Sequence, residues 1–224
     1  LSEPILKNLL NNGKVTVICG GTGFYIKSLL FNFGYGNTAG DNSLREKYQK
    51  FAEECGNLAL HKKLEEVDPQ AAEKLHENDI KRVIRALEIY ELSGKKKSEQ
   101  NDKQMPNYNY VAVAVDYPRE ELYERINKRV DEMFEAGLVN EVEMLLSLGI
   151  DENCQCMQAI GYKEVLACLK NGDLQSTMRD IIKQNTRRYA KRQITFFKKL
   201  PNIIWLKPEE ATAERVLEIL YEPN

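Results

Sequence analysis

Residues 14–30 read KVTVICGGTGFYIKSLL, and the reading of this stretch decides the fold class. Residues 15–19 form a continuous β-branched run, as a strand buried within a parallel sheet would. Gly20 and Gly21 break the run, and from Thr22 the apolar residues Phe24, Tyr25, Ile26, Leu29 and Leu30 resume a helical period. Strand, glycine turn and helix in that order make an α/β unit.

Working outward, residues 1–11 read as a helix closed by Asn12-Gly13, and residues 32–41 as a loop rich in Gly and Asn. From 42 to about 96 the pattern is purely helical. Helices are expected near 43–55 and 58–67, with a short one opening on Asp68-Pro69, Asp as N-cap and Pro in the first turn. A longer helix is expected over 79–92, capped by Asp79 and stopped by Gly94. A polar linker at 95–107 leads to a second alternating, β-branched strand at 110–115. Pro118 opens a helix to about 135, followed by helices near 139–148, 162–170 and 174–200, a strand at 203–206 and a helix at 210–220. The organisation is an α/β core over 1–36 and 108–224, interrupted by an all-helical insertion over 37–107.

Composition narrows the class. The chain has 224 residues, 42% apolar and 29% charged, which is ordinary for a globular protein and excludes a wholly disordered one. No apolar run approaches the ~18–20 residues that span a bilayer, so no membrane partner is expected. The first residue is Leu1 and residues 1–10 have no signal-peptide pattern; the chain is expected to begin inside a longer product. Five scattered cysteines suit reduced thiols rather than a disulfide framework or a zinc site. The net charge of −2 hides an asymmetry. Between Arg179 and Lys199 stand eight basic residues and one acid, a net +7 that leaves −9 for the rest. Such a segment, interleaved with Tyr189, Phe196 and Phe197, suits a polyanion met through one face. The plainer reading is a solvated helix surface.

Four further stretches carry chemistry. Gly20-Gly21-Thr22-Gly23 stands where a strand meets a helix N-terminus, which suits a phosphate; packing alone is the other reason for glycine there. It is neither a Rossmann fingerprint nor a P-loop. Arg82 and Arg85, three apart, share a helix face with or without a ligand. Arg125 and Arg129 stand four apart on a helix that follows a core strand, placed either to reach an anion at the sheet's carboxyl edge or to pair with Glu121 and Glu132. Residues 159–163, AIGYK, form a glycine-aromatic-basic turn, with a packed tyrosine or a base-stacking platform as alternatives.

Taken together, GGTGFYIKSLL (20–30), DPQAAEKLHENDIKRVIRALEIYELSGK (68–95), RINKRVDEMFEAGLVNEV (125–142), QAIGYKEV (158–165) and NTRRYAKRQITFFK (185–198) resemble the tRNA dimethylallyltransferases, or isopentenyl-tRNA transferases. The resemblance implies a P-loop-NTPase-like parallel-sheet core, here lacking its N-terminal part, with a helical insertion. It implies a cytoplasmic enzyme that moves a dimethylallyl group from its diphosphate to N6 of the adenine 3′ to the anticodon, with Mg²⁺, after that base is flipped out of the stem-loop. Arg129 would bind the diphosphate. Thr22, Arg45, Lys81, Arg82, Val83, Ile84 and Arg85 would contact tRNA. So would Gln158, Ala159, Ile160, Gly161, Tyr162 and Lys163, together with Lys191, Arg192, Gln193, Ile194, Thr195, Phe196, Phe197 and Lys198.

The family's P-loop, its general-base aspartate and the hydroxyl that holds Mg²⁺ are expected upstream of Leu1, with no metal ligand in this chain. The resemblance then implies a chain that is inactive alone and monomeric at full length. Prenyl transfer to a free adenine nucleotide, a non-catalytic tRNA-binding fragment and a small-molecule phosphotransferase are the competing readings.

Overall fold

The computed structural model describes residues 2–31, 39–99 and 106–221. It divides into two compact units, one of Leu1–Lys7 and Ser28–Asn109, the other of Asn8–Lys27 and Tyr110–Asn224. Helices α1 (Ser2–Asn11) and α2 (Gly23–Leu30) contribute residues to both. The loop expected at 32–41 and the linker at 95–107 lie largely outside the described residues, at 32–38 and 100–105.

The first unit is helical, with α3 (Asn42–Cys55), α4 (Asn57–Val67), α5 (Pro69–Lys74) and α6 (Ile80–Ser93). Tyr48, Leu60, Leu64, Val83 and Leu87 form its centre. Local chemistry sets the boundaries. The Asp68 carboxylate accepts the Ala71 N–H at 3.1 Å and the Ser98 N–H at 2.9 Å, so it caps α5 and ties down the 3₁₀ turn Lys97–Glu99. Gly94 ends α6 in the left-handed conformation, φ 66°. Asp79 departs from the expectation, because it caps α6 through its carbonyl while its carboxylate sits 3.2 Å from Arg82. An antiparallel bridge between Phe31 and Pro106, beside an Asn107 N–H to Leu30 carbonyl bond of 2.7 Å, brings residues 30–31 and 106–107 of this unit together.

The second unit carries the parallel sheet, β1 (Ala112–Val115) and β2 (Ile203–Leu206), in register from Ala112 with Ile203 to Val115 with Leu206. Around it run α7 (Arg119–Glu135), α8 (Leu138–Ser147), α9 (Tyr162–Asn171), α10 (Gln175–Phe197) and α11 (Ala213–Tyr221). Its core is helical, built on Val130, Phe134, Val142, Met157, Val165 and Ile182. No helix among the described residues is long and apolar enough to cross a membrane.

One expectation fails. Residues 15–19 form no strand among the described residues, and Val15, Val17 and Ile18 are 61, 80 and 44% exposed. A strand exists only through pairing, because its amides and carbonyls are otherwise left to water. The two described strands pair with each other, so β-branched composition alone does not make residues 15–19 a third.

Candidate nucleic-acid interface

Helix α10 is the strut to which the motifs of the second unit attach. On one face, Arg179, Lys183 and Arg187, each four apart, run down α7 as a ladder. Lys183 Nζ lies 2.7 and 2.8 Å from the Asp131 carboxylate oxygens, Arg179 pairs with the same carboxylate at 3.5 Å, and Arg187 Nη1 donates to Asn127 Oδ1 at 2.6 Å. The guanidinium of Arg179 lies over Phe134 and that of Arg187 over Tyr123. Lys183, first by its hydrogen bond, holds the Asp131 carboxyl below the usual carboxylate range. Three of the eight cations counted in the +7 segment are therefore spent on packing one helix against another.

Further along α10, Asn185 Nδ2 donates to the buried Glu164 at 2.9 Å, and Glu164 also accepts the Gly161 N–H at 2.7 Å. This fixes the AIGYK turn. Gly161 has φ 104°, a conformation open to glycine and strained for other residues. Tyr162 donates to Glu141 at 2.7 Å, and that bond, more than its slight desolvation, raises the phenol above its ordinary value. It is a held tyrosine.

At the far end, Gln193 Nε2 donates to the Gly21 carbonyl at 2.8 Å, and Phe196 presses on Gly23 so closely that a Cβ there would stand 2.2 Å from Cδ1. The glycine turn is thus shaped by contact with α10. Thr22 stays exposed at its crest, its carbonyl accepting the Tyr25 and Ile26 N–H groups.

What remains outward on α10 is the candidate surface. Arg188, Lys191, Arg192, Lys198 and Lys199 are exposed and form no ion pair among the described residues. Arg192 leans on the Tyr189 ring, and Phe197 meets Phe196 edge-on at 6.0 Å. Arg129 is exposed on α7 and likewise unpaired among the described residues. The ion pairs contemplated for α7 do not form. Arg125 lies over the Tyr117 ring at 4.7 Å, and Glu132 is 3.8 Å from Lys128 instead of engaging Arg129.

The pattern matches the sequence profile described as IPP transferase over residues 2–200. The chain belongs to the IPP transferase family. It is 45% identical over 213 residues to a tRNA dimethylallyltransferase of Acetivibrio thermocellus, covering 94% of this chain and 68% of that protein. A tRNA dimethylallyltransferase of Bacillus cytotoxicus is 43% identical over 217 residues, 96% of this chain and 68% of its own length. Among solved structures, the tRNA isopentenylpyrophosphate transferase of Bacillus halodurans is 36% identical with a TM-score of 0.63, covering 97% of this chain and 68% of that one. The Staphylococcus epidermidis enzyme of the same kind is 38% identical with a TM-score of 0.60, covering 97% and 71%.

Within this IPP transferase the residues assigned to tRNA contact divide by environment. In the first unit Val83 and Ile84 are core residues, 0 and 5% exposed, which corrects their place on a contact surface: apolar side chains at these positions are enclosed by α3, α4 and α5. Arg45 and Arg85 are held on Glu88, which is fully buried. Arg45 Nε lies 2.8 Å from Glu88, the Asp41 N–H donates to it at 2.7 Å, and Arg85 pairs with its other oxygen. Burial would raise the Glu88 carboxyl, but Arg85, the Asp41 amide and Arg45 together outweigh it and hold the group below its ordinary value. That leaves Lys81, exposed and unpaired among the described residues, and Arg82, 74% exposed beside Asp79.

In the second unit, Gln158 ends the 3₁₀ turn Gln155–Gln158 and donates to the Glu152 carbonyl at 3.3 Å. The Ala159 carbonyl accepts the Lys163 N–H, and Ile160 is half-buried. Lys163 lies 3.6 Å from Glu164. The residues that organise the surface, Glu88, Glu164, Asn127 and Asp131, were not singled out by the sequence reading. Glu164 had a signal, as the acid three residues after a helix-opening glycine; Glu88 had another, as an acid inside an apolar stripe.

Proposed function

We propose that this IPP transferase moves a dimethylallyl group from its diphosphate to N6 of an adenine in tRNA, at the position 3′ to the anticodon. The observation that carries the reading is α10. It gathers the glycine turn, the AIGYK turn and helix α7 around it, and it leaves outward five cations that form no ion pair among the described residues, with Thr22 exposed. Cations free of carboxylate partners lose little on meeting phosphate, and they supply the sequence-independent part of RNA binding. The relatives are named tRNA dimethylallyltransferases, and the basic helix suits an RNA better than a mononucleotide.

Departure of an allylic diphosphate concentrates negative charge on the leaving oxygens as the allyl cation forms. Arg129, exposed and without an ion pair among the described residues, is the residue assigned to meet that charge; a guanidinium there stabilises the transition state more than the ground state. The base-flipped adenine supplies its amine, and the protein's task is to align the two. Mg²⁺ is expected to assist diphosphate departure. Among the described residues no group of three or more carboxylate, imidazole or thiol side chains fits it, so no step here runs through it.

The test uses the protein that carries this chain, labelled dimethylallyl diphosphate and an anticodon stem-loop with adenine at that position. Label is expected on the RNA, falling at least ~100-fold in turnover for Arg129→Gln. Label on AMP and none on the stem-loop would refute the tRNA reading; an unaffected Arg129→Gln would refute the role of that residue.

A further inference from the structure

At the carboxyl ends of β1 and β2 lies an open crevice of about 830 Å³, wholly within the second unit. Its floor follows from the sheet: the Asp116 N–H donates to the Leu206 carbonyl at 2.8 Å, closing the ladder just before the two chains part into α7 and the 3₁₀ turn Pro208–Glu210. Ligands of open parallel sheets sit outside such carboxyl ends, and the volume is within the range of small-molecule sites.

The lining sorts into three chemistries. Arg119 lies over the Tyr123 ring at 5.1 Å, and Arg187, anchored on Asn127, lies over the same ring at 5.8 Å. The stack holds Tyr123 in place and makes the Arg119 guanidinium a supported planar surface at the crevice, suited to a nucleobase. Lys191 on α10, Lys198 just beyond the end of that helix, and Lys207, at the exit of β2, bring three ammonium groups to the same crevice. None of the three makes an ion pair among the described residues, although Asp116, Glu121 and Glu209 also line the space. Carboxylates beside unpaired ammonium groups match a ligand that carries both hydroxyls and phosphates.

We infer that this crevice binds a nucleotide, its base against Arg119 and its phosphates among Lys191, Lys198 and Lys207. This deepens the prenyl-transfer reading and rests on it through Lys191 and Lys198, which are also assigned to tRNA contact; Arg119 and Lys207 belong to the crevice alone, and Arg129 and Thr22 do not line it. The nucleotide has two sources, a free nucleoside phosphate or a nucleotide of the bound RNA.

The experiment measures anisotropy of N-methylanthraniloyl-ADP with the full-length protein, its Arg119→Ala variant and its Lys207→Glu variant, both at exposed positions. Saturable binding to the unaltered protein, weakened at least tenfold in each variant with circular dichroism unchanged, is the expected result. An anticodon stem-loop that displaces the probe assigns the site to the RNA chain; one that binds without displacing it assigns the site to the free nucleotide. No saturation below about 1 mM, or equal affinity in the variants, would overturn the inference. Inorganic tripolyphosphate competing as well as ADP would overturn the base contact. Prenyl transfer is scored separately with the stem-loop, so failure of one reading is visible apart from the other.

Discussion

Replacing Glu88 by Ala removes the one buried acid that ties α6 to the start of α3. The carboxylate accepts the Asp41 N–H at 2.7 Å and holds Arg45 at 2.8 Å and Arg85 on its second oxygen. Removing one partner from a buried ion pair costs about 3–5 kcal/mol when the survivor stays buried. Here the survivors have an outlet, since the Arg45 and Arg85 side chains are 46 and 31% exposed and rehydrate once released. That places the loss near the lower end, about 3 kcal/mol, part of it from an unsatisfied Asp41 amide. With a urea dependence of about 2 kcal/mol per M, the midpoint should fall by roughly 1.5 M. Glu88→Gln keeps the size and an acceptor for Asp41 while losing the charge, and should cost about half as much.

The same residue sets a pH signature. Its folded-state pKa is depressed, so its contribution is present above the ordinary carboxylate range and is lost as pH falls through the folded value. The gap between wild type and Glu88→Ala should therefore be constant from pH 6 to 8 and close below about pH 4. Urea titrations followed by circular dichroism at several pH values measure both effects. A midpoint shift below roughly 0.25 M at pH 7, or a gap that widens in acid, would refute the assignment of Arg45 and Arg85 to this structural role.

Two further predictions concern the second unit. Gly23→Ala should destabilise by about 1–3 kcal/mol because the new methyl meets the Phe196 ring, and the double variant with Phe196→Ala should recover part of that loss; strict additivity in a denaturation cycle would show that the contact is not tight. Among the basic residues of α10, Arg188→Gln and Arg192→Gln should each flatten the salt dependence of stem-loop binding by about one unit with stability unchanged. Arg187→Gln, which loses Asn127, should lower stability with little change in slope, and identical slopes in all three would contradict this division of the helix.

Much of the helical order was legible in local chemistry. The strand at 203–206 agrees with β2, Asp68-Pro69 opens α5 as expected, and Gly94 ends α6. The caps and turn residues act over a few neighbours, so the linear code carries them. Residues 15–19 fail for the opposite reason: β-branched composition states that a segment suits a strand, whereas pairing depends on what lies beside it. The basic run was legible as charge and illegible as function. Arg187 and Arg188 are adjacent in sequence, yet one is held by Asn127 and the other is exposed.

By itself, then, the sequence determined the family, the succession of helices and the location of the positive charge. Only the tertiary structure decided which charges are free. It assigned Arg45 and Arg85 to Glu88 and Arg179 and Lys183 to Asp131, and it enclosed Val83 and Ile84. The physical reason is that ion pairing and burial are properties of neighbours brought together from distant positions, while helix periods and caps are written within a turn or two of the chain.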